Sequence, residues 1–259
     1  MTMISPASLI TPIPANLVAP ADCLRDRVIL VTGASGSLGR TAALVFAAHG
    51  ATVVLHGRNK SKLDAVYDEI EANGSAEPAL MTLDYLKATD AEFKGLADTI
   101  YSTFKRLDGI FHGAGHVAPL SPLALQDFGS WQACTTINLT APIAVTRACM
   151  PMLKRASSSA VVFLSETHAI DTKAFWGPFA VSKGALHQAV GIWNDELERE
   201  HSPRMKVLIP GPVFSQCRSI THPGELASSL PPLTTLAQSF LLLMSRDDRL
   251  PSTTLYGAM

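Results

Sequence analysis

The sequence predicts an α/β protein built on one doubly wound parallel sheet with helices on both faces. Short apolar runs, which suit strands buried on both faces, alternate with longer segments of helical spacing from residue 27 to the C-terminus. A glycine-rich turn directly follows the first of these runs. The chain has 259 residues, 47% of them hydrophobic, and can bury a core without disulfides or a structural metal. We therefore predict one domain over residues 25–259.

Each predicted element follows from local spacing, with apolar runs of four to six residues read as strands and longer amphipathic segments as helices. Pro142 and Pro151 are expected to bend or end the long fourth helix. In such a sheet the ligand lies beyond the carboxyl ends of the strands, where the strand order reverses. The predicted strands are 28–31, 52–55, 79–83, 109–112, 160–164, 205–209 and a short one near 253–256, and the predicted helices are 38–49, 60–73, 91–106, 131–154, 179–200 and 233–244.

Residues 1–24 are predicted to form an N-terminal arm. The arm has four prolines and no lysine or arginine, so it lacks the basic start of a secretory signal. No apolar run reaches the ~18 residues of a membrane span, and a net charge of −1 provides no basic field for nucleic acid or anionic lipid. Four widely spaced cysteines are typical of free thiols in a reduced compartment. We expect a cytoplasmic protein with no membrane, nucleic-acid or metal partner.

The turn at residues 32–39, with the sequence TGASGSLG, is a candidate phosphate cradle. Its glycines allow close approach to a pyrophosphate, and the following helix offers free N–H donors; a tight turn without a ligand is the alternative. After the second strand, Arg58 stands where an NAD site usually has a carboxylate, and its guanidinium suits a 2′-phosphate. We therefore predict NADP, unless Arg58 is a solvated surface residue. Asp84 is predicted to contact adenine or to cap a helix.

The order of these motifs resembles the short-chain dehydrogenase/reductase family from about residue 27 onward. Gly113-Ala114-Gly115 follows the fourth strand, Phe179 and Lys183 are four residues apart, and a Pro-Gly-Pro-Val motif begins at residue 210. The resemblance implies a Rossmann-type fold, a nicotinamide cofactor, and hydride transfer at a small carbonyl or alcohol. The cofactor-binding positions that we predict are Gly33, Ser35, Ser37, Leu38, Gly39, Arg58, Asp84, Gly113, Ala114, Gly115, Lys183, Pro210, Gly211 and Val213.

The family's active site combines an asparagine, a serine, a tyrosine and a lysine, and this chain matches two of them. Asn138 matches the asparagine, which would hold a water in a proton relay, and Lys183 matches the lysine, which would bind the nicotinamide ribose. Phe179 occupies the tyrosine position, and Glu166 the serine position thirteen residues earlier. A positioned proton donor is worth about 10²–10⁴ in rate and an oxyanion donor about 10²–10³. The usual mechanism is thus expected to lose ~4–7 powers of ten.

Glu166 and Lys183 are expected to face each other across the cleft. We predict an ion pair between them, because a carboxylate and an ammonium in a partly dry site each need a partner. A protonated Glu166 or His168 is an alternative acid for a nonstandard reduction, and a polar loop role is the other interpretation of Glu166. A hydrolase built on Ser165 and His168 is rejected, because the chain has no G-x-S-x-G elbow.

Two functions follow. One is an oxidoreductase that keeps NADP and acts weakly or through an altered acid; the other is a noncatalytic relative that binds the cofactor or a partner. The segment 214–232 is the expected substrate lid and does not identify the substrate. A homodimer or homotetramer is expected from the resemblance and from apolar residues on the two long helices, which core packing could also explain: Ile143, Met152, Leu186, Val190, Trp193 and Leu197.

Overall fold

The computed structural model describes residues 9–200, 202–245 and 247–258. Eight parallel strands form a single sheet in this part of the chain. The strands are β1 Thr11–Pro12, β2 Val28–Thr32, β3 Thr52–Gly57, β4 Ala79–Thr82, β5 Gly109–His112, β6 Ala160–Leu164, β7 Arg204–Ile209 and β8 Leu255–Gly257. The helices are α1 Ser37–Ala48, α2 Lys60–Ala72, α3 Asp90–Phe104, α4 Phe128–Thr135, α5 Ala141–Arg155, α6 Gly177–Glu196, α7 Gln216–Thr221 and α8 Ala237–Met244.

The sheet has the strand order β1-β8-β7-β6-β5-β2-β3-β4. The chain runs from β2 outward through β3 to β4, and then returns to pair β5 with the other side of β2. The strand order therefore reverses between β2 and β5, which is where doubly wound sheets bind ligands. Thr32, the last residue of β2, is paired with His56 on one side and His112 on the other. The predicted fold class is confirmed.

The core lies in two layers, one on each face of the sheet. Successive residues of β2 point into opposite layers. Ile29 lies in the layer under α1, α2 and α8, and Leu30 lies in the layer under α3, α5 and α6. The side chains of the central strands β2, β5 and β6 are thus buried on both faces, which explains why these strands are apolar without alternation.

The long helix predicted at 131–154 is divided by a π-helical segment, Thr136–Thr140, between α4 and α5. Pro142 has no N–H to donate to the carbonyl four residues earlier, that of Asn138, and this accounts for the widened turn. Pro151, by contrast, lies inside α5 without ending it. The interruption thus falls where the predicted site residue Asn138 is located.

The described part of the N-terminal arm, residues 9–24, packs on the domain, and residues 1–8 lie outside the described residues. Thr11 and Pro12 pair with β8 at the edge of the sheet, and Leu24 is fully buried in the core. Neither this strand nor α7 was predicted from the sequence. A strand of two residues in a segment with four prolines has no apolar run from which it could be predicted.

Most of the apolar residues that suggested an assembly face are core residues of the monomer. Met152, Leu186, Val190 and Leu197 are buried in the layer under α5 and α6. All four cysteines are free thiols. No helix within the described ranges combines the length and the apolar character that a bilayer crossing requires.

Candidate active site and cofactor cleft

Two adjoining cavities lie along the carboxyl edge of the sheet. The larger, the Arg58 cavity, has a volume of about 290 Å³, and the smaller, the Lys183 cavity, about 90 Å³. Both are lined by residues 113–115, so they form one cleft across the point where the strand order reverses. The Arg58 cavity is lined also by Gly33, Ser35, Gly36, His56, Gly57, Arg58, Asn59, Lys62, Leu83, Asp84, Tyr85, His116, Ile137 and Gln216. The Lys183 cavity is lined also by Leu38, Leu164, Ser165, Glu166, Trp176, Phe179, Lys183, Pro210, Gly211, Val213, Ser215, Cys217, Arg218 and Thr221.

The glycine turn is closed by tight backbone packing. Gly33 has a φ of +65°, and a Cβ there would lie 2.6 Å from Ala114. A Cβ on Gly39 would lie 2.2 Å from the Gly33 carbonyl oxygen. These glycines let α1 begin directly against β2 and β5, with its first N–H groups at the cleft. Gly39 itself lines neither cavity, and Ser37, also predicted as a ligand, instead accepts a hydrogen bond from the backbone N–H of Gln216 at 3.4 Å.

Two cations border the outer end of the Arg58 cavity. Arg58 is exposed directly after β3, and Lys62 lies in the first turn of α2, whose N-terminus is capped by the Asn59 side chain. Asp84 accepts a hydrogen bond from the backbone N–H of Leu86 at 3.1 Å while lining the same cavity. This bond closes the turn at residues 85–87 and caps no helix, because Thr89 caps α3; the Asp84 carboxylate is nevertheless at the cleft.

Sequence reasoning missed a buried ring pair in the Arg58 cavity. His56 and Tyr85 stack with centroids 4.9 Å apart, and the Tyr85 hydroxyl lies 3.4 Å from His56 Nδ1. Burial lowers the pKa of His56 to about 4, so the ring is neutral at physiological pH. The position of His56 at the end of a predicted strand was the available signal, since carboxyl ends of parallel strands line the cleft.

Asn138 is buried in the π-helical segment and is fixed by three hydrogen bonds. Its Nδ2 donates to the His116 carbonyl at 2.8 Å and to Ser182 Oγ at 3.0 Å, and its Oδ1 accepts from the His116 N–H at 2.8 Å. Both amide hydrogens are thereby used. The side chain ties the loop after β5 to α6, and so it positions the floor of the cleft.

Phe179 and Lys183 lie together in the first two turns of α6, on the wall of the Lys183 cavity. The Lys183 ammonium is 6.0 Å from the centroid of the Phe179 ring and donates to the Leu164 carbonyl at 2.8 Å. Burial lowers the pKa of Lys183 to about 8, and the Glu166 carboxylate acts in the opposite direction. Phe179 also packs against Trp176, with centroids 6.1 Å apart. The tyrosine position of the resemblance thus borders the cavity without a hydroxyl group.

The predicted ion pair between Glu166 and Lys183 is wrong. The Glu166 carboxylate accepts a hydrogen bond from the backbone N–H of Thr167 at 2.8 Å and begins a short 3₁₀ turn, Thr167–Ala169. Lys183 satisfies its ammonium at the Leu164 carbonyl instead. A local backbone donor costs less side-chain entropy than a longer reach across the cleft. Glu166 still lines the cavity, whereas His168 does not line it and packs at a tilt against Trp176.

A second hydrogen-bonded pair, missed by sequence reasoning, borders the Lys183 cavity. Ser165 Oγ lies 2.5 Å from Nε2 of His187, which is one turn beyond Lys183 on α6. Burial, and then the Lys183 ammonium, lower the pKa of His187 to about 4. From the sequence, the only partner considered for Ser165 is its neighbour His168. The four-residue spacing from Lys183 to His187 was the signal that both face the same side of α6.

The segment after β7 closes one side of the Lys183 cavity, as expected for a lid. Arg218 donates to Glu225 Oε1 at 2.7 Å, which joins α7 to the loop behind it. Cys217 lines the cavity and packs against the apolar cluster of Val117, Trp176 and Phe179. Burial raises the pKa of the Cys217 thiol, so it is protonated at neutral pH.

Fold and cleft together define a Rossmann-type nucleotide-binding protein. Comparison with known proteins narrows the class: the family model described as short chain dehydrogenase matches residues 27–224. The uncharacterized oxidoreductase YciK of Escherichia coli K12 is 34% identical over 228 residues, which cover 88% of this chain and 90% of YciK. The chain therefore belongs to the short-chain dehydrogenase family of oxidoreductases.

Solved structures agree with this family. A short chain dehydrogenase from Salmonella enterica serovar Typhi CT18 has a TM-score of 0.89 and 34% identity, covering 93% of this chain and 98% of its own. Another, from Escherichia coli CFT073, was crystallised in complex with NADPH and has a TM-score of 0.87 and 33% identity, covering 93% of this chain and 99% of its own.

Proposed function

We propose that this protein binds NADP and is a slow oxidoreductase for a small carbonyl or alcohol, working without the family's usual tyrosine. The observation that carries the proposal is the contrast within one cleft. The Arg58 cavity keeps a glycine turn, a helix N-terminus and two cations, whereas the Lys183 cavity has Phe179 where the family has a proton donor. A relative of similar fold holds NADPH in its crystals.

The residues present fit a phosphorylated dinucleotide. The turn at residues 33–36 leaves space for a pyrophosphate next to free backbone N–H donors. This space depends on Gly33 and Gly39, where a side chain would collide with the backbone and push α1 away from the sheet. Arg58 and Lys62 would hold a 2′-phosphate, and Asp84 would accept from the adenine amino group. Lys183 would hold the nicotinamide ribose. When bound, the cofactor supplies or accepts a hydride, and the residues of this chain orient it and serve the substrate oxygen.

The substrate proposed is small and partly apolar. The Lys183 cavity has a volume of about 90 Å³, and its walls combine Trp176, Phe179 and Val213 with the Lys183 ammonium. A carbonyl oxygen directed at Lys183 would gain electrostatic stabilisation as negative charge develops. Glu166 opposes this stabilisation if it is ionised, since its carboxylate borders the same space.

A noncatalytic cofactor-binding relative is the second candidate, and Phe179 favours it. The ring is 8% exposed and packs in a cluster with Val117 and Trp176. It thus forms part of a stable apolar wall, which a binding protein could use as well as an enzyme. Turnover by the unaltered chain, however slow, would favour the enzyme over this candidate.

The proposal is tested first by cofactor binding. Isothermal titration calorimetry with NADPH and NADH should give saturable binding with a preference for NADPH, because two cations flank the proposed 2′-phosphate position. Binding of neither cofactor, or a preference for NADH, would contradict the proposed function. Carbonyl turnover is a separate measurement, so binding without turnover would distinguish the noncatalytic candidate.

We also propose that the protein is a homo-oligomer. Val181 and Ile192 on α6 are each more than half exposed, although most of the neighbouring apolar residues are buried in the monomer. A second copy that packs along α6 would cover both. Light scattering coupled to size exclusion should then give a mass of two or four chains, and a single chain at micromolar concentration would contradict the proposal.

A further inference from the structure

We propose that Ser165 and His187 form a proton-transfer pair that serves the substrate oxygen in place of the missing phenol. This inference rests on the proposed function, because it needs NADP in the cleft. The pair would carry out the proton transfer that remains without the tyrosine. Neither residue occupies one of the positions of the family's asparagine, serine, tyrosine and lysine.

The first support is geometric. Ser165 directly follows β6, is 7% exposed, and lines the same cavity as Phe179 and Lys183. Its hydroxyl is 2.5 Å from His187 Nε2, a short distance for an oxygen and a ring nitrogen. A hydroxyl oriented by an imidazole is the arrangement by which proteins move a proton to or from a bound molecule.

The second support is electrostatic. Lys183 precedes His187 by one turn, and its ammonium disfavours a second positive charge on the ring. With burial, it keeps His187 neutral at physiological pH, so Nε2 is able to accept the serine proton while Nδ1 carries the ring proton. His187 is only partly buried, which gives protons a route from the cavity through the ring towards solvent.

The third support is that the rival groups are engaged elsewhere or are less suited. The Glu166 carboxylate is bound to the Thr167 N–H, and Asn138 has used both amide hydrogens. His168 lies against Trp176 and bonds the Asp171 carbonyl. The Cys217 thiol also lines the cavity, but no base lies at hydrogen-bond distance among its described contacts. It is therefore the one remaining alternative as the proton-transfer group among the groups compared.

The proton and electron balance is complete for oxidation of an alcohol. The hydride leaves the carbinol carbon for NADP⁺, and the hydroxyl proton passes to Ser165 Oγ. The original serine proton passes to His187 Nε2, and the resulting imidazolium releases one proton to solvent. The products are a carbonyl compound, NADPH and a solvated proton. Neutral His187 is the form that accepts the serine proton during alcohol oxidation, and the reverse reduction uses the imidazolium form.

The experiment compares Ser165→Ala with the conservative Ser165→Thr, which keeps a hydroxyl group. NADP⁺-dependent oxidation of cyclopentanol and 1-phenylethanol is followed in H₂O and D₂O. The account expects Ser165→Ala and His187→Ala to lower kcat by about 10²-fold and to abolish the solvent isotope effect. Ser165→Thr should retain most of the activity, and added imidazole should partly restore His187→Ala. Gln188→Ala, at an exposed position beside His187, is the matched control and should match the parent.

A readout without cofactor accompanies these rates. Nitrogen-15 NMR of labelled histidine in the unliganded protein should show His187 as a neutral ring with its proton on Nδ1, and Ser165→Ala should alter this signal. A proton on Nε2 at neutral pH would overturn the proposal.

The kinetic outcomes separate the two levels of the argument. If NADPH binds and Ser165→Ala oxidises alcohols as fast as the parent, the pair is wrong and the proposed function stands. Loss of activity in Cys217→Ala with Ser165→Ala unaffected would overturn the pair in favour of the thiol. A parent that binds NADPH but shows no oxidation also overturns the pair, and a parent that binds no NADPH overturns the proposed function as well.

Discussion

The two cavities of the cleft share residues 113–115 and yet differ in what they preserve. The Arg58 cavity has backbone N–H groups, cations and a capped helix, the general requirements for a phosphorylated ligand. The Lys183 cavity retains the lysine beside an aromatic ring without a hydroxyl group, and the asparagine is fully buried without lining either cavity. Binding depends on many weak contacts and tolerates single changes, whereas proton donation depends on one atom. A single side chain can thus remove most of the rate and leave the nucleotide-binding half intact.

The largest expected effect comes from restoring the missing groups. Phe179→Tyr combined with Glu166→Ser should raise NADPH-dependent carbonyl reduction by about 10²–10⁴-fold, because a phenol near Lys183 supplies a proton donor and a carboxylate is removed. The rate is measured by NADPH absorbance with cyclopentanone or benzaldehyde. Phe175→Tyr adds a phenol at an exposed ring outside the cavity and is the control. An unchanged rate in the double variant would show that the catalytic half has lost more than these two groups.

The next effect concerns two buried lysines and distinguishes the cleft from the core. Burial lowers the pKa of both Lys183 and Lys206 to about 8 from 10.5. The folded state then binds fewer protons than the unfolded state between pH 8 and 10.5. Each lysine therefore costs about 3 kcal/mol below pH 8, and this cost disappears as pH rises to 10.5.

Urea unfolding from pH 7 to 10 tests this sign. As pH rises above 8, the parent becomes more stable because its buried lysines lose their charge. Lys183→Met and Lys206→Met each lack one of these charges, so their stability relative to the parent should fall over the same pH range. Only Lys183→Met should weaken NADPH binding, because Lys206 donates to Leu243 away from both cavities. A stability difference that does not change with pH would contradict the buried-charge account.

A smaller effect is expected at the nucleotide end. Arg58→Ala should weaken NADPH binding by about 10–100-fold, the value of one or two charge-assisted hydrogen bonds to phosphate, and leave NADH binding nearly unchanged. Calorimetry with both cofactors measures the difference. Arg40→Ala removes an exposed arginine that pairs with Glu69 and should change neither affinity. If Arg58→Ala weakens the binding of NADPH and NADH equally, Arg58 does not contact the 2′-phosphate.

The smallest effect contrasts two helical glycines. Gly39→Ala introduces a Cβ 2.2 Å from the Gly33 carbonyl and should cost about 1–3 kcal/mol of stability. Gly95→Ala, on α3, meets no atom within 4 Å and should stabilise by up to about 1 kcal/mol. Thermal and urea unfolding compare them. If Gly39→Ala leaves the free energy of unfolding unchanged, the turn can move away from α1 without a loss of stability.

Sequence reasoning predicted the fold well, because parallel strands buried on both faces are readable as apolar runs. The bounds of β5 and β6 were predicted without error, whereas β1 has two residues and no such run. The cavity-lining positions of Phe179 and Lys183 followed from their motif. The Ser165–His187 bond did not, because it joins the loop after β6 to a helical residue 22 positions away. The Glu166–Lys183 ion pair was wrong because each group is bound to the backbone instead, Glu166 to the Thr167 N–H and Lys183 to the Leu164 carbonyl.

The central claim is that this chain keeps the cofactor half of the cleft and has lost the phenol-based chemistry. Steady-state turnover of the purified, unaltered protein at saturating NADPH, over a panel of small aldehydes and ketones, tests it most directly. An ordinary enzyme turns over at about 10 s⁻¹, and loss of the proton donor alone predicts values below about 0.1 s⁻¹ here. Turnover at about 10 s⁻¹ with any of these carbonyls would contradict the account.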